Sequence, residues 1–229
     1  MSLQQGSRWF VVCMVSDGFY QIFASYNTTW LPVLGIFWVL LLISTVLVLV
    51  WPNQRTNTLI KVLLAVSFLW NGVMFFPFYM TMIALPGAVT SLGVGILFAI
   101  DALRNRIAIN LPKQGWLKNV TIILVIWALG LYTLTGFTIA HPYPQGPLPV
   151  APCPMTILSI ALISTSMDTL QKDRWPFTLL FVLLIWWGFF SGLGAPFLYG
   201  FYTDLTLFLT GVYGLFMLSH HWTIAISAG

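Results

Sequence analysis

Seven stretches of almost unbroken hydrophobic residues alternate with short polar connections along the chain, at 30–51, 58–83, 87–103, 117–140, 154–170, 175–193 and 203–220. Each is close to the ~20 residues that an α-helix needs to span the hydrocarbon core of a bilayer, the third and fifth being at the short limit. The pattern predicts an all-α membrane protein of seven transmembrane helices. Ahead of the first run, Phe19, Ile22, Phe23 and Tyr26 recur at i, i+3, i+4 and i+7. That spacing marks one apolar face of a short helix with Ser16 or Asp17 as its N-cap. Its aromatic character suits the membrane interface. The predicted division is therefore an outer interfacial segment at 1–29, a first three-helix unit at 30–103, a loop and linking fourth helix at 104–140, an outer proline-rich loop at 141–153 and a second three-helix unit at 154–229.

The outer three-helix units resemble each other. Leu42-Ile43-Ser44-Thr45 recurs as Leu162-Ile163-Ser164-Thr165, with Pro32 and Pro152 in register. Trp70-Asn71-Gly72 aligns with Trp186-Trp187-Gly188, and Gly93-Val94 with Gly211-Val212, so the offsets run 120, 116 and 118 residues. This order predicts a 3+1+3 parallel repeat, an architecture known among transporters that bind substrate between the halves; chance matching of leucine-rich helices is the competing explanation. The topology is similar to that of SWEET-type sugar transporters, and the likeness stops at topology because a fold does not carry a function with it. Within the third run, Gly87, Ser91, Gly95 and Ala99 recur at every fourth position, a small-residue stripe along which helices can approach closely.

Composition removes the soluble alternatives. Of the 229 residues 59% are hydrophobic and 6% charged, where soluble domains carry about 25% charged residues. The net charge of +4 does not form a nucleic-acid footprint, because the cations are spread in small groups over separate connections. Arg55 and Lys61, then Arg104, Arg106, Lys113 and Lys118, then Lys172 and Arg174 occupy every second connection, and only Arg8 breaks the alternation. Short cytoplasmic loops retain Lys and Arg, so the ladder places the N-terminus outside and the C-terminus in the cytoplasm. The lipid bilayer is the expected partner; a homo-oligomer or other protein partners are open. Cys13 and Cys153 are too few and too far apart to announce a disulfide framework or a metal knuckle.

Few residues bring chemistry into this apolar setting. Trp70, Asn71, Trp186 and Trp187 fall near the middle of the second and sixth runs, although tryptophan favours the interfaces. An amide inside a span needs a partner. The cluster reads either as an aromatic and polar substrate pocket or as core filling with Asn71 bonded to a neighbouring helix. Among the acids, Asp101 and Asp168 sit near Arg104, Arg106, Lys172 and Arg174, where surface ion pairing is expected. Asp204 opens the seventh run with no cation nearby in sequence and is read as an N-cap or, as a substrate-binding carboxylate, as a group for proton coupling or cation capture. His141 and Cys153 flank a loop with six prolines in fourteen positions, which excludes helix and suits a lid. With Met155 they are candidate soft metal ligands. His220 and His221, adjacent on one helix, diverge by about 100° and do not share a ligand. No catalytic constellation appears, and the residues name no cofactor.

Three places are similar to an uncharacterised family of bacterial polytopic membrane proteins, known as a domain of unknown function. They are Phe19-Tyr20 through Trp30-Leu31-Pro32, the region from Trp70-Asn71-Gly72 to Phe98, and Pro152-Cys153-Pro154-Met155-Thr156-Ile157. The family pattern has asparagine after the isoleucine matched by Ile83, where this chain has Ala84. The resemblance implies a multi-pass protein of a bacterial inner membrane and no particular activity. Three functions stay open on the residues: a carrier or channel for a small solute, a non-transporting membrane subunit of a larger complex, and metal or redox handling at the outer face.

Overall fold

The computed structural model describes residues 3–112, 115–138, 141–166 and 174–227, with side chains for all of these but 3–17, 174–175 and 221–227. The described chain is helical with no strand. It forms α1 (Leu3–Val50), α2 (Gln54–Phe78), α3 (Thr81–Arg104), α4 (Trp116–Thr138), α5 (Pro152–Ser164), α6 (Arg174–Tyr199) and α7 (Leu205–Ser227). Five stretches are long and apolar enough to cross a membrane: Gly18–Val50 within α1, α2, α3, α4, and Pro176–Tyr199 within α6. Helix α5 is shorter, at 13 residues. The sequence-predicted run continues past it to 170, and Asp168 with residues 169 and 170 lies outside the described residues. So do Lys113, Lys172 and Asp173, along with the side chains of Arg8, Cys13, Asp17, Arg174 and His221.

Helix α1 corrects the expected N-terminal segment. The helix runs without interruption through Ser16 and Asp17, so neither caps a separate short helix. Its aromatic face also turns inward: Phe19, Tyr20, Phe23 and Tyr26 are buried against Phe75, Tyr199 and Phe201. Farther along α1, Ile36, Val39, Ile43, Val46 and Val50 stay exposed, as side chains that meet lipid do. Pro32 is tolerated inside the helix, as in other membrane-spanning segments.

Helix α5 is the centre of the bundle. Every residue from Pro152 to Ser164 is buried except the half-buried Cys153, and a helix that is apolar all round belongs in a core. Helices α2, α4, α6 and α7 surround it. The small-residue stripe of α3 lies against α2 as its spacing predicts. A Cβ at Gly87 would fall 2.2 Å from the Phe76 ring, and one at Gly95 would fall 2.8 Å from Leu69. Gly192 on α6 meets the backbone of α7 itself, with 2.5 Å between an added Cβ and the Phe208 backbone nitrogen.

Polar side chains tie down the loops at both ends. At the basic end, Asn53 and Thr56 form a capping box that starts α2. Asn57 accepts from Ile109 N at 2.7 Å and donates to Ile109 O at 3.2 Å. Lys61 is fully buried, pairs with Asp101 at 2.8 Å and donates to Asn105 Oδ1 at 2.7 Å. The Asp101 carboxylate accepts in turn from the backbone of Arg106 and Ile107. The expected surface pairing of Asp101 is therefore a buried bond to Lys61, and Lys61 is part of the core instead of a loop cation. At the other end the proline-rich loop folds onto the bundle, with Gly146, Pro147, Pro149 and Val150 buried. Asn27 Nδ2 donates to Pro144 O and Gly146 O, both at 2.8 Å, and Thr133 donates to Pro147 O at 3.0 Å.

Candidate functional site

A cavity of about 90 Å³ opens at the proline-loop end, where α1, α2, α5 and α6 meet the start of α7. Seven of its wall residues are aromatic, among them Phe19, Phe75, Trp187, Phe190 and Tyr199. Its polar groups gather on one side, from Cys153, Ser191 and Asp204. Each arrives by a local feature of the chain. Cys153 sits in the first turn of α5 between Pro152 and Pro154, where proline is tolerated because the first helical N–H groups have no partner within the helix. Ser191 is one residue before the close-packed Gly192. Asp204 ends a 3₁₀ turn, Tyr202–Asp204, that follows Gly200 in the left-handed region at φ 70°.

Asp204 is almost wholly buried, at 1% exposure. Its Oδ1 accepts from the Tyr132 hydroxyl, which reaches in from α4. Its Oδ2 is met by the Cys153 thiol, a weak donor, and by the Ser191 hydroxyl in a long bond, each at 3.4 Å. Normal hydroxyl bonds run about 2.5–3.0 Å, so Oδ2 keeps acceptor capacity. Among the described residues no Lys, Arg or His lines the cavity. Helices α4, α5 and α6 and the turn before α7 thus contribute one polar side chain each to a single carboxyl-centred cluster.

Of the candidate site residues read from the sequence, the structure brings Cys153, Trp187 and Asp204 together on the cavity wall and leaves Trp70, Asn71, Trp186 and His141 elsewhere. Trp186, on the next step of the helix, is 49% exposed and faces away from the core. Asn71 is buried but does not line the cavity. It donates to Val150 O at 2.9 Å and so pins the proline-rich loop, and to Ser67 O within its own helix. Trp70 donates to the Tyr26 hydroxyl at 2.9 Å and closes α1 on α2. Their apparent mid-span depth came from bounds of 58–83 for the second run; α2 begins at Gln54 and stops at Phe78, which moves Asn71 toward its C-terminal end. There Asn71 opens a π-helical turn, Asn71–Phe75, a local widening that is frequent at functional positions.

His141 and Cys153 go separate ways. The imidazole stacks on Tyr20 with ring centroids 3.5 Å apart and bonds Gln145 at 2.9 Å, while Cys153 turns to Ser191 and Asp204. Among the described residues no three His, Cys, Asp or Glu side chains gather around a point where a metal ion would sit. Tyr132 and Ser191 went unnoticed in the sequence, since a Tyr or Ser in a hydrophobic run carries no mark of its partners. Lys61 did carry a signal, being an ionisable side chain inside a predicted span.

The fold and this cluster define an integral membrane protein of the helical class, with a buried polar site set in an aromatic pocket. Within that class the chain belongs to the family of unknown function DUF6064, whose profile matches residues 16–227. No curated protein and no solved structure matches it.

Proposed function

We propose that the protein is a carrier or channel for a small solute in a bacterial inner membrane, with the basic end in the cytoplasm and the proline-rich loop outside. In this reading two parallel three-helix units, α1 to α3 and α5 to α7, are joined by the linking helix α4. The position of the cavity carries the proposal: its walls come from both units, and it ends on a buried carboxyl cluster. A site of this kind between repeats is where transporters of that architecture bind substrate.

The repeat has support at a constant offset of 120 residues. Gln54 and Arg174 open α2 and α6, and the pattern of buried and exposed positions over 61–78 recurs without a change over 181–198. The 3₁₀ turn Thr81–Ile83 falls within one residue of the turn Tyr202–Asp204 at the same offset. Helix α2 lies on α3 as α6 lies on α7, and α1 on α2 as α5 on α6. This register pairs Asn71 with Ser191 and Gly72 with Gly192, and replaces the tryptophan alignment at 116. It also sets Asp204 opposite Ala84, so the carboxyl belongs to one half only.

The test is flux. Purified protein in proteoliposomes is expected to pass at least one member of a panel of radiolabelled small solutes, amines, amino acids and short carboxylic acids included, and Asp204→Asn is expected to reduce that flux at least several-fold. Protein-dependent flux that Asp204→Asn leaves unchanged would remove the cavity from the pathway, and no flux above empty vesicles for any solute would end the transport reading.

A further inference from the structure

Resting on that reading, we infer that the cavity's ligand is a small organic cation of the alkylammonium class. Three features of the pocket converge on it: the available charge, the walls and the size.

Asp204 supplies the charge. A carboxylate taken out of water without a cation is costly, and Oδ2 is met only by the thiol and hydroxyl at 3.4 Å. A cation seated beside Oδ2 offsets that cost. Among the described residues no Lys, Arg or His lines the pocket to do so. The opposite end of the molecule shows the contrast: there Asp101 is buried too, but Lys61 neutralises it at 2.8 Å.

The walls supply a second attraction. Phe19, Phe75, Phe190, Trp187 and Tyr199 surround the space next to the carboxyl. Aromatic faces are negative at the centre of the ring and attract cations, and cages of such rings recognise methylated and quaternary ammonium groups. Trp187 and Phe190 are neighbours with ring centroids 5.8 Å apart, and Phe19 stacks on Tyr199 at 4.7 Å, so these rings form continuous surfaces. A polyol does poorly here: its hydroxyls would meet hydrocarbon on most sides and lose the hydrogen bonds they make in water.

Size sets the upper limit. At ~10–15 Å³ for each water held on this measure, a cavity of about 90 Å³ takes roughly six to nine water-sized groups. That accommodates a tetramethylammonium-sized ion and excludes a hexose. The topological likeness to sugar transporters therefore does not extend to the substrate.

The experiment uses tetramethylammonium chloride as the probe and tert-butanol as its neutral counterpart of similar shape, titrated calorimetrically into the purified full-length protein in detergent. Saturable binding of tetramethylammonium is expected, with no competition from tert-butanol. Asp204→Asn should weaken it about tenfold or more, and Phe190→Leu, which keeps the bulk and removes the ring face, about threefold. If Asp204→Asn does not run as a monodisperse species, Phe190→Leu decides alone. Equal binding of both probes, or full affinity in Phe190→Leu, overturns the cation assignment while leaving a small-solute site intact. Absence of binding by tetramethylammonium and by methyl-, dimethyl- and trimethylammonium overturns it as well; if the flux panel is nevertheless positive for a neutral or acidic solute, the transport reading survives without it.

Discussion

At the scale of single residues, the described part of the molecule treats its two buried acids in opposite ways. Asp101 is satisfied in full: Lys61 faces one oxygen, and the amides of Arg106 and Ile107 face the other. Asn105 completes the arrangement from a left-handed conformation at φ 47°, where asparagine is among the few residues tolerated, and lends its side-chain oxygen to Lys61. Removing one member of a buried pair strands the other charge, at a cost of about 3–5 kcal/mol. Lys61→Met is therefore expected to lower the thermal stability of the detergent-solubilised protein sharply. The double variant K61M/D101N should recover part of the loss, because the new amide carries no charge and still accepts from the two backbone amides. Equal melting temperatures for the single and double variants would contradict this account. The pairing with Lys61 was not evident from the sequence, where Asp101 stands closest to Arg104 and Arg106. The lysine lies 40 positions earlier in the chain, and only the packing of α2 on α3 brings it in.

Helix contacts at the scale of elements depend on a few glycines whose importance differs with what lies opposite. Gly192 faces the backbone of α7, which cannot rotate away, whereas a Cβ at Gly35 on α1 meets nothing within 4 Å. Gly192→Ala should cost roughly 1–3 kcal/mol through overpacking, and Gly35→Ala should gain about 0.5–1 kcal/mol from reduced backbone entropy in the unfolded chain. Thermal unfolding of the two variants side by side checks both signs. Hydrophobic run length was enough to locate the helices, and fourfold spacing was enough to find the packing stripe of α3. The ends of the helices were less legible. In 58–83 the residues on both sides of the break at Tyr79 and Met80 are equally apolar, so hydropathy gives no boundary there. Likewise, the aromatic spacing of Phe19 to Tyr26 reported an apolar face correctly. It held no information on whether lipid or protein would cover that face, and the answer depended on Phe75, Tyr199 and Phe201 from distant parts of the chain.

At the scale of the whole molecule, two ends of unlike chemistry are separated by the length of the helices. One gathers Asn53, Arg55, Asn57, Arg104 and Asn110 around short polar connections. The other is closed by the proline-rich loop, which Asn27, Asn71 and Thr133 hold to the bundle by its carbonyl groups. A charge ladder in sequence becomes a physical asymmetry only if the connections really alternate between ends, and this arrangement of α1 to α4 meets that condition. The asymmetry has a measurable consequence because Lys and Arg beside a span are held in the cytoplasm. With Cys13 and Cys153 replaced by alanine, a single cysteine placed by Tyr143→Cys, at a side chain 45% exposed in the proline-rich loop, should react with a membrane-impermeant maleimide on intact spheroplasts. One placed by Gln54→Cys, at the exposed start of α2, should react only after the membrane is permeabilised. The reverse pattern would invert the protein and put the Asp204 cavity on the cytoplasmic side, so that a solute entering from outside would meet the basic end first. Labelling of both positions without permeabilisation would break the alternation itself, and with it the parallel orientation that the two three-helix units require.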